Sequence, residues 1–243
     1  MDTTSIDRDL ISQDQLTQLD ELGYFITDPL FPAEDLAAVE AEFAALSANP
    51  PDRTGGNFAC FLHKTNPVCA EFCRHPVFAA LCRQLLGPEV HQTWNQMIVK
   101  KPGQAGTFGW HQDAYYGVHN PNGEIGPEHP DDDFLSDVIT LWVAITRTTI
   151  DNGCLWVLPG RHKEGLLPHH WDHANKEWVG DYDTSGKVPA ELAPGQIFAF
   201  TRLTPHSSGP NISDTVRMGY QIGYSVDIGI RDMIPFLKHG RRI

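Results

Sequence analysis

The chain has 243 residues, of which 41% are hydrophobic and 20% are charged, and these proportions exclude a disordered or fibrous chain. Its formal net charge of −13 argues against nucleic-acid binding, which normally needs a basic patch. The dense basic run at residues 238–242 is interpreted as a solvated C-terminal tail. Nothing near the N-terminus predicts a secretory leader, and no uncharged run is long enough to span a bilayer.

The cysteines favour a reducing compartment, because an odd number of them, five, occurs without a leader. We therefore expect a cytoplasmic protein. Cys69 and Cys73 lie four residues apart on one face of a predicted helix, so they are a possible pair of metal ligands. Packing as small buried apolar residues is the simpler interpretation, since no second pair accompanies them.

The N-terminal part of the chain, about residues 12–87, is predicted to be mainly helical. Each helical segment has a start or a stop signal. The segments are 13–22 between the capping residue Ser12 and Gly23, a helix opened by Pro32, and 67–86 with a break at His75-Pro76. A short strand is predicted at residues 23–26.

The remainder, about residues 90–226, is predicted to be mainly β. The predicted strands cover residues 93–100, 107–113, 138–146, 154–158, 196–201 and 216–224. Several short strands separated by turns and preceded by helices are typical of a jelly-roll barrel with a helical outer layer. A chain of this length fits one domain over residues 1–243, because all-β barrels often reach this size undivided.

The strand at 216–224 has two different faces. Alternate residues on one face are apolar, whereas the other face carries Arg217, Gly219, Gln221 and Gly223. A packed core rarely tolerates an inward arginine without a partner, so this face predicts a cavity that binds an anion. The alternative is an ordinary salt bridge with one of the 31 acidic residues.

Two segments between the strands are predicted to be irregular. Residues 114–137 are rich in Pro, Gly, Asn and Asp and exceed the usual length of a connection, which favours a lid or a binding loop. Residues 165–188 are expected to form a second wall of a site. The aromatic and histidine residues that accompany these segments are Tyr115, Tyr116, His119, His169, His170, Trp171, His173 and Trp178.

The sequence His111-Gln112-Asp113 carries the strongest chemical signal. In a strand, residues two apart point to the same face, so His111 and Asp113 can offer a nitrogen and an oxygen to one ion. A second histidine on a neighbouring strand would complete a 2-His-1-carboxylate set with open positions opposite, as in non-haem Fe(II) oxygenases. His206 is the candidate, because it follows a predicted strand and precedes a turn. Arg217 then returns towards it if the two segments form an antiparallel hairpin.

The chain resembles the phytanoyl-CoA dioxygenase (PhyH-like) family of Fe(II)/2-oxoglutarate-dependent oxygenases over roughly residues 16–226. The order and spacing of several segments support the resemblance. They are His111-Gln112-Asp113, residues 141–144, residues 151–162 and residues 206–211, with Arg217 eleven residues after His206.

The resemblance implies a double-stranded β-helix of jelly-roll or cupin type, mainly β with α-helices packed outside. It implies Fe(II) on His111, Asp113 and His206, with 2-oxoglutarate and O2 as co-substrates. Arg217 would bind the remote carboxylate of 2-oxoglutarate. Further residues would line the co-substrate pocket: Ser208, Gln112, Trp142, Met97 and Lys64. The turn Asp151-Asn152-Gly153 is expected to be structural, with a positive φ. His162 is a possible fourth imidazole near the metal, but we expect it to be a loop residue or to lie outside the ligands.

The predicted reaction is hydroxylation of a small organic molecule, with decarboxylation of 2-oxoglutarate to succinate. Asp113 favours hydroxylation, desaturation or ring formation over halogenation, since related halogenases have a small residue there. The acidic chain argues against phytanoyl-CoA itself, and the aromatic residues favour a ring-bearing or amphipathic substrate. Two alternatives remain: a cupin-like Zn or Mn hydrolase or isomerase that does not use 2-oxoglutarate, and a non-catalytic binding barrel. The sequence does not predict the oligomeric state.

Overall fold

Two antiparallel sheets form the body of the protein, and helices cover one of them. The computed structural model describes residues 6–49, 57–118, 138–175, 177–226 and 233–243, without the side chains of residues 116–118. All structural statements below concern these ranges.

The helices of the described ranges begin and end close to their predicted signals. They are α1 (Gln13–Leu22), α2 (Ala33–Ala48), α3 (Pro67–Cys73), α4 (Pro76–Leu86) and α5 (Asp113–Val118), with short 3-10 helices at Leu62–Lys64 and Arg161–Glu164. Ser12 caps α1 in a capping box with Gln15, and Gly23 ends it at φ 87°. The predicted break at His75 is confirmed, and its imidazole caps α4 by accepting from the Val77 amide at 3.2 Å. No helix in these ranges combines the length and the apolar composition of a membrane span.

The strands of the described ranges fall into three sheets. They are β1 (Tyr24–Ile26), β2 (Phe58–Cys60), β3 (Val90–Lys100), β4 (Phe108–His111), β5 (Val138–Ala144), β6 (Leu155–Val157), β7 (His170–Asp172), β8 (Glu177–Val179), β9 (Val188–Ala190), β10 (Ile197–Thr201), β11 (His206–Ser208), β12 (Arg217–Ser225), β13 (Ile234–Lys238) and β14 (Arg241–Arg242). Within this part of the chain, the major sheet has the order β1-β10-β5-β12-β3-β13-β14, with β2 paired to β3. The minor sheet has the order β4-β11-β6-β9, and β7 pairs with β8.

The two faces of β12 separate two hydrophobic clusters. Tyr220 and Tyr224 pack on the helix side, in one cluster with Phe43, Phe72 and Phe78. The opposite face of the major sheet looks towards the minor sheet and a smaller cluster. The predicted division of this strand into an apolar face and a polar face is therefore confirmed. The result is a mainly β jelly roll with its helices packed on the outside.

The prediction that residues 107–113 form one strand is wrong at its end. Strand β4 stops at His111, and Asp113 is the first residue of α5. The Asp113–Val118 helix also occupies the start of the segment expected to be a loop at 114–137. Residues 119–137, on which the lid expectation rests, lie outside the described residues.

Residues 165–188 were predicted to be irregular and residues 238–242 to be a solvated tail, but both segments contain paired strands. Strands β7 and β8 pair within residues 165–188, with Trp171 opposite Trp178. The basic C-terminal run is not a free tail, because β13 pairs with β14 and with β3. The Arg242 guanidinium also donates to the Arg74 carbonyl at 2.6 Å, which fixes the end of the chain against α3.

The expected hairpin between the segments of His206 and Arg217 is also wrong. Strand β11 belongs to the minor sheet and β12 to the major sheet, so the connection crosses between them. Asn211 holds this crossing in place by donating to the Lys100 carbonyl at 2.8 Å and the Thr215 carbonyl at 2.7 Å.

Candidate functional site

Three side chains that can ligate a metal converge between the two sheets. His111, the last residue of β4, lies opposite His206, the first residue of β11. Asp113 reaches the same point from the first turn of α5. Its Oδ1 atom lies 3.6 Å from Nε2 of His111 and 3.7 Å from Nε2 of His206. One ligand atom from each residue lies within 4.8 Å of the others, so the structure brings together the predicted ligand set.

Backbone carbonyls orient both imidazoles of this cluster. Nδ1 of His111 is 2.7 Å from the Gly109 carbonyl, and Nδ1 of His206 is 3.0 Å from the Thr204 carbonyl. A carbonyl accepts only, so in both rings Nδ1 carries the hydrogen that is donated. When the ring is neutral, the lone pair is then on Nε2, the atom that faces Asp113. Such an outer hydrogen bond fixes the tautomer and ring orientation of metal-ligating histidines.

The electrostatics of the cluster suit a cation at neutral pH. Burial, together with the neighbouring His111, lowers the pKa of His206 to about 4, so this ring is neutral. Burial alone would raise the pKa of Asp113, but His206 and His111 outweigh it and hold the pKa at about 2. Burial also acts to lower the pKa of His111, and the hydrogen bond and charge of Asp113 outweigh this and raise it. An ionised carboxylate beside a neutral imidazole is the state that binds a divalent metal.

The second oxygen of Asp113 is anchored by the major sheet. Its Oδ2 atom accepts from Nε2 of Gln221 at 3.0 Å and from the Thr140 hydroxyl at 3.2 Å. These bonds leave Oδ1 to face the imidazoles. Sequence analysis placed Gln221 on the polar face of its strand but missed Thr140, since nothing local in the sequence links residue 140 to residue 113.

A second group of buried polar side chains forms what we call the cationic cluster: Arg217, Lys100, Ser208 and Trp142. The guanidinium of Arg217 donates to the Gly153 carbonyl at 2.6 Å and lies 5.1 Å from the centre of the Trp142 ring. Gly153 has the positive φ expected for its turn, 82°, and a Cβ there would meet the Gly209 carbonyl oxygen at 2.6 Å. This turn therefore needs glycine to present its carbonyl to Arg217.

The cationic cluster contains buried donors without acceptors. Nε and Nη1 of Arg217 and Nε1 of Trp142 have no hydrogen-bond partner. Within the described part of the chain, no carboxylate forms an ion pair with Arg217. Buried donors and charges without partners are costly, so such a group marks a place where a ligand supplies the acceptors. A carboxylate fits, because guanidinium offers two parallel donors to its two oxygens.

The metal-ligand cluster and the cationic cluster belong to one elongated site. Arg217, Gly219 and Gln221 follow one another on the same face of β12, and Gln221 contacts Asp113. On the facing sheet, His206 and Ser208 are two residues apart in β11 and share a face. A ligand that binds the cations at one end and the metal at the other would lie along this face of β12.

Two of the residues predicted to line the co-substrate pocket, Met97 and Lys64, have other contacts in the structure. Met97 packs in the helix-side cluster, and its strand neighbour Ile98 takes the face towards the minor sheet. Met97 therefore lies on the opposite face of β3 from the cationic cluster. The ammonium of Lys64, an exposed residue of the 3-10 helix Leu62–Lys64, lies 5.2 Å from the centre of the Phe61 ring.

The side chain of Gln112 forms hydrogen bonds with the backbone of two other segments of the chain. Its Nε2 atom donates to the Gly165 carbonyl at 2.9 Å and the Leu203 carbonyl at 2.6 Å. Its Oε1 atom accepts from the Leu167 amide at 2.7 Å. These bonds use both ends of the amide, so Gln112 ties three chain segments together between two metal ligands.

Two other predicted features lie apart from the site. The imidazole of His162 approaches the Asp20 carbonyl at 3.1 Å, at the end of α1. Cys69 and Cys73 are buried, with Sγ of Cys73 3.2 Å from the Tyr220 hydroxyl. Burial raises the pKa of both thiols to about 12, which fits the interpretation of packed, unreactive cysteines.

An aromatic group lies beside the metal ligands, on α5 and the β7–β8 hairpin. The Tyr115 ring lies 4.1 Å from that of His169 and 4.8 Å from that of Trp178, measured between centroids. Trp171 stacks edge-on against Trp178. Nε2 of His169 accepts from the backbone amide of Gln112 at 3.0 Å, which places these aromatic residues next to the segment that carries His111 and Asp113. The side chain of Tyr116 and residue His119, also expected here, lie outside the described residues.

The architecture and the clusters define a class: a double-stranded β-helix with a candidate 2-His-1-carboxylate metal centre. The family model "Phytanoyl-CoA dioxygenase (PhyH)" matches residues 19–219, and the chain belongs to this family. A probable phytanoyl-CoA dioxygenase of Caenorhabditis elegans is 31% identical over 175 residues, 67% of this chain and 52% of the relative. The chain thus spans about half the length of the curated relatives it matches first.

Solved structures show the same fold. EctD from S. alaskensis, determined with 2-oxoglutarate and 5-hydroxyectoine, matches 98% of this chain and 87% of its own, with a TM-score of 0.71 and 20% identity. EvdO2 from Micromonospora carbonacea var. aurantiaca, complexed with 2-oxoglutarate, matches 93% of each chain, with a TM-score of 0.69 and 23% identity. At these identities the comparison establishes the architecture.

Proposed function

We propose that the protein is an Fe(II)- and 2-oxoglutarate-dependent oxygenase that hydroxylates a small organic molecule. One observation carries the proposal. A buried His-Asp-His cluster and a buried group of unpaired cationic donors lie in the same site, joined by one face of β12. Membership of the phytanoyl-CoA dioxygenase family supports it, as do neighbours of the same fold that were determined with 2-oxoglutarate.

Each group of residues has a stated role in the proposal. His111, Asp113 and His206 would hold Fe(II), and a set of three protein ligands would leave positions for small ligands. Arg217 binds the remote carboxylate of 2-oxoglutarate, with Trp142 and Ser208 as further donors. Thr140 and Gln221 keep the carboxylate of Asp113 in its ligating orientation. The sheets on both sides exclude bulk water from the ligands.

When bound, the ferrous centre supplies O2 activation coupled to the decarboxylation of 2-oxoglutarate. In the overall reaction one oxygen atom enters a C–H bond of the substrate and the other enters succinate, with release of CO2. The chain's own part is to bind, orient and shield the reactants. The carboxylate of Asp113 is part of the ligand set, which favours hydroxylation over halogenation.

The alternatives explain less of the site. A cupin-like hydrolase or isomerase would use the same three ligands but would have no use for the unpaired donors of Arg217 and Trp142. A non-catalytic barrel would not need a neutral imidazole held against an ionised carboxylate. Both alternatives predict no response of the metal-loaded protein to 2-oxoglutarate.

The proposed substrate is small and ring-bearing or amphipathic, because aromatic side chains lie beside the metal ligands. The net charge of −13 disfavours the phosphates of coenzyme A as a general ligand. A cytoplasmic location remains part of the proposal, because the chain has an odd number of cysteines, five, as expected for a reducing compartment.

Anaerobic titration of the Fe(II)-loaded protein with 2-oxoglutarate tests the function. We expect a visible charge-transfer band, and succinate release once O2 is admitted. Asp113→Ala and His206→Ala should lose both signals, because each removes a metal ligand. His239→Ala is the matched control, since this exposed histidine interacts with Glu89 away from the site. A parent protein that binds Fe(II) but gives neither band nor succinate would refute the proposal.

A further inference from the structure

Lys100 is a buried lysine that the predicted site does not include. It is the last residue of β3 and lies directly opposite Arg217 in the antiparallel register. Directly opposite residues share a face, so the two side chains point to the same side of the major sheet. Only 2% of Lys100 is exposed, and Arg217 is fully buried.

The ammonium of Lys100 bridges the two sheets at the cationic cluster. It donates to the Ser208 hydroxyl at 2.9 Å, to the Gly106 carbonyl at 3.3 Å and to the Gly209 carbonyl. Because the ammonium can only donate, the Ser208 oxygen acts here as an acceptor. The hydroxyl hydrogen of Ser208 is then free to be donated to an anion.

Two cations are therefore buried side by side without a counter-ion. In the described ranges, no carboxylate forms an ion pair with either Lys100 or Arg217. Burial, reinforced by the charge of Arg217, lowers the pKa of Lys100 to about 7, and burial lowers the pKa of Arg217 to about 10. A bound carboxylate would offset both the repulsion between the two cations and the free-energy cost of removing them from water.

We infer that Lys100 is a positioning residue for the co-substrate: its ammonium orients the Ser208 hydroxyl and adds a second positive charge beside Arg217 for the remote carboxylate of 2-oxoglutarate. The inference rests on the proposed function and deepens it.

A purely structural role for Lys100 makes a different prediction. If its ammonium only tied residues 206–209 to β3, its loss would loosen the whole site and weaken every ligand alike. If it serves the remote carboxylate, its loss weakens only ligands that have one. The probes are 2-oxoglutarate and 2-oxopentanoate, a five-carbon 2-oxo acid that lacks the second carboxylate.

The test is calorimetric titration of anaerobic Fe(II)-loaded protein with both probes. In Lys100→Met, which keeps the length of the apolar stem, we expect the Kd of 2-oxoglutarate to rise about tenfold or more and that of 2-oxopentanoate to stay within about twofold. Lys101→Met is the matched control, because the neighbouring lysine is exposed and donates to the Ser47 carbonyl at 3.1 Å. It should leave both Kd values unchanged.

Ser208→Ala provides a second route if Lys100→Met does not fold. We expect it to raise the Kd of 2-oxoglutarate several-fold with no effect on 2-oxopentanoate. Parent-like binding of 2-oxoglutarate by folded Lys100→Met, or equal weakening of both probes, would overturn the inference while leaving the proposed function intact. Failure of the parent to bind 2-oxoglutarate at all would instead overturn the function.

Discussion

At the scale of single residues, Lys100 makes the affinity for 2-oxoglutarate dependent on pH. Its pKa of about 7 means that the free protein carries an ammonium below this pH and a neutral amine above it. A bound carboxylate favours the ammonium, so its pKa rises on binding. Binding is therefore strongest when Lys100 is already charged, and affinity falls as the pH rises above 7.

We expect the Kd of 2-oxoglutarate for the Fe(II)-loaded parent to increase severalfold between about pH 6.5 and pH 8.5, and the profile of Lys100→Met to be flat.

The charged and titratable groups around Lys100 are Arg217, Cys154 and Glu177. Arg217 and the Cys154 thiol, with pKa values of about 10 and about 11, do not titrate in this window. Burial raises the pKa of Glu177, the remaining group. Glu177→Gln therefore serves as the control, and it should keep the slope of the parent. An equal slope in Lys100→Met would assign the titration elsewhere.

Among the single residues of the site, the metal ligands were predictable from the sequence, whereas Lys100 was not. The spacing of His111 and Asp113, with the sequence context of His206, predicted the ligands that the structure brings together, because the chemistry of a metal centre restricts residue types strongly. Lys100 and Met97 lie in the same predicted strand and on opposite faces of it. Alternation alone does not say which face is the site, and only the pairing of Lys100 with Arg217 decides it.

At the scale of the element, β12 connects the metal ligands to the cationic cluster. Trp142 approaches this strand closely at Gly219. A Cβ on Gly219 would lie 1.9 Å from the ring of Trp142, closer than any contact allows. The glycine therefore leaves room for the indole beside the strand, where its ring centre lies 5.1 Å from the Arg217 guanidinium.

We expect Gly219→Ala to displace the Trp142 ring. Overpacking of this kind costs about 1–3 kcal/mol, so the unfolding temperature should fall by several degrees. The Kd of 2-oxoglutarate should rise as well, because the indole lies against Arg217. Gly209→Ala is the control for stability, since a Cβ there meets nothing within 4 Å. A fall in unfolding temperature of the same size in both variants would show that the ring contact is not the cause.

Helix boundaries were predictable from the sequence where capping and breaking residues alone determine them. Ser12, Gly23 and His75 end or begin helices through contacts within a few residues, and those boundaries are confirmed. The strand expected to run to residue 113 and the expected hairpin of β11 with β12 were wrong. Both depend on which sheet a strand joins, and this is decided by contacts between distant parts of the chain.

At the scale of the whole molecule, the buried clusters link ligand binding to stability. The ligand atoms and the unpaired donors are contributed by both sheets, so they are in place only in the folded chain. A ligand that binds only the folded state stabilises it by about 2.7 kcal/mol at a hundred times its Kd.

We expect saturating Fe(II) and 2-oxoglutarate under anaerobic conditions to raise the unfolding temperature by about 5–10 °C, given the size of the protein. His206→Ala should lose most of this shift, and Lys100→Met should keep the part due to the metal. Differential scanning calorimetry measures both. An equal shift in the parent and in His206→Ala would mean that the metal binds outside the His-Asp-His cluster.

Gln112 links the metal ligands mechanically to the outer wall of the site. Its side chain is anchored to the backbone at Gly165, Leu167 and Leu203, while its own backbone joins His111 to Asp113. A displacement of the 165–167 segment would therefore move Gln112 and, through its backbone, the two ligand residues on either side of it. The position of Asp113 relative to His111 is thus coupled to a segment that itself contributes no ligand.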